Sequence, residues 1–233
     1  KAIRRQRQMC IRDSLNPELT CTLPPYQTAS GCTDIIVHTL ERYFTKPGVT
    51  SLALTDGMAE ALLRNVMRNA RLALQKPADY DVRAEIMWAG TLSHNDITGD
   101  RSQGDWASHQ LEHELGGMFD IAHGAGLAAI WGSWARYVLK QNPCRFAQLA
   151  VNVLNVPYSF GNDEKTALEG IAAMEDFFRS IGMPTSISDM EIELTDTQIK
   201  ELAHKCSFMG RRTIGGFVTL NAADMENIYR MAR

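Results

Sequence analysis

The sequence lacks any pairing of its cysteines. Cys10, Cys21, Cys32, Cys144 and Cys206 are scattered, odd in number and never spaced as CxxC. That argues against a disulfide framework and against a thiolate zinc site, and it fits a reducing, cytoplasmic setting. No apolar run approaches the ~20 residues that span a bilayer. The N-terminus has none of the basic, apolar and small-residue succession of a secretion signal. Neither GxGxxG nor another Gly-rich phosphate loop occurs, and no strand–helix alternation frames one, so the usual dinucleotide fingerprint is missing. Repeats and low-complexity tracts are also absent. Positive charge is scarce outside Lys1, Arg4, Arg5, Arg7 and Arg12, which leave 19 basic against 27 acidic groups in the rest of the chain. Such a balance offers no surface for nucleic acid and none for a membrane.

What is present is an ordinary globular composition: 233 residues, 45% hydrophobic and 22% charged, enough to bury a sizeable core. Residues 1–13 join no periodic pattern and do not begin with Met. They are expected to be non-native or unstructured, with one helical domain over 14–233. After the connector from Ser14 to Pro25, apolar residues recur at helical spacing. Ile35, Ile36, Leu40 and Tyr43 mark a helix over 28–44 that stops at Lys46-Pro47-Gly48, and Met58, Leu62, Val66 and Leu72 mark another over 55–74. Asp79 is placed to cap a helix over 79–92. Further helices are expected over 103–118, 124–140, 143–154, 164–181, 195–206 and 221–232. Only 185–187 and 217–219 look strand-like. The fold class is all-α, a helical bundle.

The residues able to do chemistry concentrate on three of these helices. Asp34 and His38 are four apart and share a helix face, and His109 and His113 repeat that spacing. His123 opens a further helix, followed by Gly124, Ala125 and Gly126, which would let that helix start pack against a neighbour. Asp34 and His38 lie among Ile35, Ile36, Val37 and Leu40. A carboxylate in so apolar a helix needs a partner, and a metal ion is one that offsets its desolvation. Three helices could thus deliver nitrogen and oxygen donors to one point in a bundle.

The string His109-Gln110-Leu111-Glu112-His113 also reads as HxxEH, an inverted zinc-peptidase signature. There His109 and His113 would bind zinc, Glu112 would act as base on a bound water, and Glu191 or Glu193 would supply a third ligand. That reading leaves Asp34, His38 and His123 idle. A catalytically silent metal-binding fragment is the third possibility.

Several separated strings, in order from about residue 15 to the C-terminus, resemble the iron-containing alcohol dehydrogenase family, in its butanol-dehydrogenase-like branch. They are Thr22-Leu23-Pro24-Pro25, the run from Asp34 to Phe44, the run from Met87 to Asn95, His109 to Leu115 continuing to Asp120-Ile121-Ala122-His123-Gly124, Phe177 to Pro184, and Ile214 to Phe217. The resemblance implies the C-terminal helical domain of a dehydroquinate synthase-like architecture. It implies Asp34, His38, His109 and His123 as ligands of Fe2+ or Zn2+, and His113 as a non-ligand histidine near the nicotinamide that relays a proton. Leu23 and Pro24 match a loop near the cofactor, whereas His94 matches a family string without a ligand role and His204 is expected at the surface. The implied activity is NAD(P)H-linked interconversion of a small primary alcohol and its aldehyde, the ion polarising the oxygen for hydride transfer, in a possible homodimer. The family's nucleotide domain would precede Ser14 and is missing here, so this chain alone is expected to have low turnover.

Overall fold

The computed structural model describes residues 15–45, 52–99 and 104–233. The N-terminal segment 1–13, the stop at Lys46-Pro47-Gly48 and the helix start at 103 lie outside the described residues. Among the described residues there are nine α-helices: α1 Pro25–Tyr43, α2 Ala53–Gln75, α3 Tyr80–His94, α4 Ala107–Phe119, α5 His123–Val138, α6 Pro143–Leu154, α7 Asp163–Ser180, α8 Asp196–Cys206 and α9 Ala222–Ala232. The described residues are all-α, as their periodicity indicates.

Helix ends follow local chemistry. Pro25 starts α1 three residues before the expected point, because proline at the first helical position loses no needed donor. The Asp79 carboxylate accepts from the Val82 N–H at 3.3 Å and caps α3. Thr195 with Gln198, and Asn221 with Asp224, form reciprocal capping boxes on α8 and α9. Helix α5 ends at Val138 and tightens into a 3-10 turn over Leu139–Gln141. The two strand-like segments are not strands. Residues 185–187 form a turn in which the Asp189 carboxylate accepts the N–H groups of Thr185 and Ser186. Residues 217–219 sit in a loop closed by a single antiparallel bridge between Ile214 and Leu220.

Helix α5 organises the bundle. Residues Gly124 to Ala135 are buried without a break, as expected of a helix apolar on every side. It packs on α1, α4, α7 and α9, while α1 also carries α2 and α3. Trp131 and Trp134 of α5 are fully buried, and Trp134 meets Phe44 edge-on at 5.5 Å. This core holds three pieces in fixed relation: the middle of α1, the length of α4 and the first turn of α5.

Candidate metal centre

The approach of α5 to α1 depends on glycine. A Cβ built on Gly124 would stand 2.0 Å from the backbone oxygen of Ser30, and the Gly124 N–H donates to the Ser30 hydroxyl at 3.1 Å. Gly126 likewise leaves room for Glu112, whose Cγ would lie 2.7 Å from an added Cβ. The turn between α4 and α5 is short because Asp120 adopts a left-handed conformation at φ 52° and closes α4 with an N–H bond to Gly116. Together these features bring His123 over Asp34.

Asp34 is the hub. Its Oδ1 lies 3.5 Å from His38 Nε2, 3.5 Å from His109 Nε2 and 3.4 Å from His123 Nε2. Its Oδ2 lies 3.5 Å from His94 Nε2. These contacts are too long for strong hydrogen bonds. They match the separation of roughly 3.4 Å between two ligands each about 2.1 Å from one tetrahedral ion. Asp34 Oδ1 and His109 Nε2 are also buried without a hydrogen-bond partner, which buried polar atoms rarely are. Asp34 therefore joins two groups of mutually close donor atoms, one with His38 and His94, the other with His109 and His123.

Two buried carboxylates set the direction of the ring nitrogens. His109 Nδ1 donates to Glu41, whose other oxygen accepts the His109 backbone N–H at 3.1 Å. His123 Nδ1 donates to Glu112. Glu41 and Glu112 are only 1% and 2% exposed. With Nδ1 committed, each neutral imidazole turns its Nε2 lone pair toward Asp34, as ligating histidines do. Burial opposes charge on Asp34, yet the imidazoles crowded around it, His109 and His123 foremost, outweigh that and hold the carboxyl well below the usual range. Burial also opposes charge on His109, but Asp34 and Glu41 win and push it up to about 9. His123 is pushed up to about 10, mainly by Asp34 and Glu112. His38 has no carboxylate behind it; burial, then repulsion from His109, lowers it to about 3. The cluster thus demands positive charge at its centre. Protons on His109 and His123 would supply it only across long contacts, whereas a divalent ion would meet the Asp34, His109 and His123 donors together.

All four ligands assigned by resemblance come together. His113 stays outside the Asp34 groups; it is exposed and stacks on His123 with ring centroids 5.4 Å apart. Leu23 and Pro24 are exposed at the start of α1, about 15 Å along the helix from Asp34 at 1.5 Å per residue. His204 is exposed on α8. His94 is the departure, because the fold brings it to Asp34 and sets its ring tilted against His38 with centroids 3.9 Å apart. The peptidase arrangement does not form: His109 and His113 share no donor group, and Glu191 and Glu193 join none among the described residues. Glu112, its proposed base, is spent on His123. Neither Glu41 nor Glu112 was singled out as a support for a histidine. For Glu41 a signal existed, since it stands seven residues after Asp34, two turns along the same face of an apolar helix.

Residues 28–233 match the Fe-containing alcohol dehydrogenase family, C-terminal. The chain is 36% identical over 216 residues to the probable NADH-dependent butanol dehydrogenase 1 of Bacillus subtilis, covering 93% of this chain and 54% of that protein. It is 34% identical over 219 residues to the NADPH-dependent aldehyde reductase YqhD of Escherichia coli, covering 94% and 55%. The substrate- and cofactor-free structure of that reductase superposes with a TM-score of 0.85 over 93% of this chain and 56% of its own. An NADH-dependent butanol dehydrogenase A from Thermotoga maritima, 30% identical, gives 0.84 over 93% and 54%. The chain spans about half the length of the relatives it matches. It belongs to the Fe-containing alcohol dehydrogenase family and corresponds to that family's C-terminal, all-helical domain.

Proposed function

We propose that the protein interconverts a small primary alcohol and its aldehyde with NAD(P)H, around a divalent ion held by Asp34, His38, His109 and His123. One observation carries this reading: three imidazole nitrogens converge on one buried, partnerless carboxylate oxygen at 3.4–3.5 Å. When bound, such an ion supplies Lewis acidity that favours negative charge on the substrate oxygen during hydride exchange with the nicotinamide. The chain's own residues do the rest. Glu41 and Glu112 hold the His109 and His123 rings with Nε2 forward. Trp106 packs edge-on against His38 at 5.4 Å and His109 at 5.5 Å and so backs both rings. His113, exposed beside His123, is placed to pass a proton between the substrate oxygen and solvent. No strand and Gly-rich turn for a nucleotide occur among the described residues. The exposed residues Leu23, Pro24 and His113 are where this chain would meet the nicotinamide.

The reading is tested by metal content of the purified chain and its variants. Asp34→Ala and His123→Ala are expected to lose the ion, while Glu112→Gln and His113→Ala keep it. Retention in the first two would sink the ligand set, and loss on removing His113 would revive the peptidase arrangement. Consumption of NADH or NADPH with butanal is the activity readout, and it is expected to disappear in Asp34→Ala.

A further inference from the structure

His94 lies at the last residue of α3, and the fold fixes it more firmly than its 44% side-chain exposure suggests. Its Nδ1 is 2.9 Å from the Gly90 carbonyl and 2.7 Å from the Ser93 hydroxyl. The Ser93 hydroxyl itself donates to Gly90 O at 2.9 Å, so both neighbours of Nδ1 act as acceptors. A carbonyl oxygen can only accept, so Nδ1 carries the proton and Nε2 of the neutral ring is a lone pair. The surrounding backbone is clamped to α1. Arg42 donates to the Ser93 carbonyl at 2.6 Å and pairs with Asp96 at 2.8 Å, and its guanidinium lies 4.9 Å from the Trp106 ring centre. The result is a nitrogen lone pair aimed at a carboxylate oxygen, Asp34 Oδ2, at 3.5 Å. Two acceptors do not face each other without a cation between them.

We propose that His94 is a further protein ligand that would help to hold the divalent ion, since it groups with Asp34 and His38 and faces Asp34 Oδ2 where His38, His109 and His123 face Oδ1. The inference rests on the metal reading above and extends its donor set by one nitrogen. His94 is the most exposed of the five donors' side chains, at 44% against 40% for His123 and less for the others. The competing account is a plain imidazolium–carboxylate pair, which involves no metal bond.

The test loads the 233-residue chain with Co2+ and with Zn2+, comparing it with His94→Ala and Asp34→Ala. As a ligand, His94 raises the coordination number, so the visible Co2+ absorption of His94→Ala should grow stronger, and its Zn2+ affinity should fall by about tenfold or more. An unchanged Co2+ spectrum and unchanged Zn2+ affinity in His94→Ala, with metal lost in Asp34→Ala, would overturn this inference and leave the four-ligand site standing. Full Co2+ binding by a folded Asp34→Ala chain would overturn both. Circular dichroism of each variant shows that the helices are intact, as expected for a change at a half-exposed ring.

Discussion

Gly124→Ala should separate the site from the fold in a measurable way. An added Cβ would lie 2.0 Å from Ser30 O and 2.7 Å from Ser30 C, against the 3.0 Å that real Cβ atoms keep. The obstacle is helix backbone, so it cannot rotate away, and α5 must back off from α1 by about 1 Å. Ser30 stands one turn before Asp34, and His123 is the residue next to Gly124, so the shift falls almost wholly on the contact between Asp34 Oδ1 and His123 Nε2, now 3.4 Å. Metal–ligand bonds tolerate only about 0.2 Å. Zinc affinity should fall roughly 100-fold, as loss of a ligand's orientation commonly causes. Overpacking should cost about 1–3 kcal/mol, lowering the Tm by about 2–4 °C per kcal/mol in a chain of this size. Gly117→Ala is the control. It lies exposed in α4 with nothing within 4 Å of an added Cβ, and it should stabilise the chain by about 0.5–1 kcal/mol. Thermal unfolding followed by circular dichroism and zinc titration give both quantities. A folded Gly124→Ala chain with full zinc affinity would show that the close approach of α5 to α1 does not build the centre.

Glu112→Gln and Glu41→Gln keep the shape of each side chain but replace a charged acceptor with a neutral one, a loss of about 1–1.5 kcal/mol per hydrogen bond. Each should bind zinc about tenfold more weakly without losing it at saturation, as read by chelator competition; unaltered affinity in both would remove their role in aiming the histidines. Zinc affinity should rise with pH, because an ion must displace protons from His109 and His123, which sit at about 9 and about 10 without it. Each displaced proton adds about tenfold per pH unit below those values, and a flat profile between about pH 6 and 8 would contradict protonated imidazoles in the ion-free chain. Stability of the ion-free chain should run the other way. The raised folded-state values stabilise it fully below the ordinary histidine value near 6.5 and lose that effect as pH rises toward 9 and 10. Urea midpoints at several pH values with a chelator present test the sign, and a midpoint that climbs across that window would be the wrong one.

The helices were legible because their cores are periodic and their caps are local: Asp79, Thr195 and Asn221 each act within three residues of their own position. The pair on α1 was legible as a candidate for a similar reason: a carboxylate and an imidazole four apart usually form an ion pair at a surface, but in so apolar a helix the carboxylate needs a further partner. What faces those donors depends on which helices meet. Glu41 reaches His109 across 68 positions of sequence, and no spacing rule announces such a pair. The HxxEH string shows how a local pattern misleads. Its residues sit on one helix as the motif requires, but the inward direction at Glu112 is set by Gly126 of the next helix, which leaves room for that carboxylate beneath His123. His94 was hidden for the same cause, since Arg42 of α1 pulls the end of α3 against the site through Ser93 and Asp96. Arg42 itself looked like one more helix charge in the sequence. In the fold it ties the Asp34-bearing side of α1 to α3, so Arg42→Ala should loosen His94 while leaving His109 and His123 on their own carboxylates. The centre is therefore built in two halves, one aimed by Glu41 and Glu112 and one by Arg42, that meet at the two oxygens of Asp34.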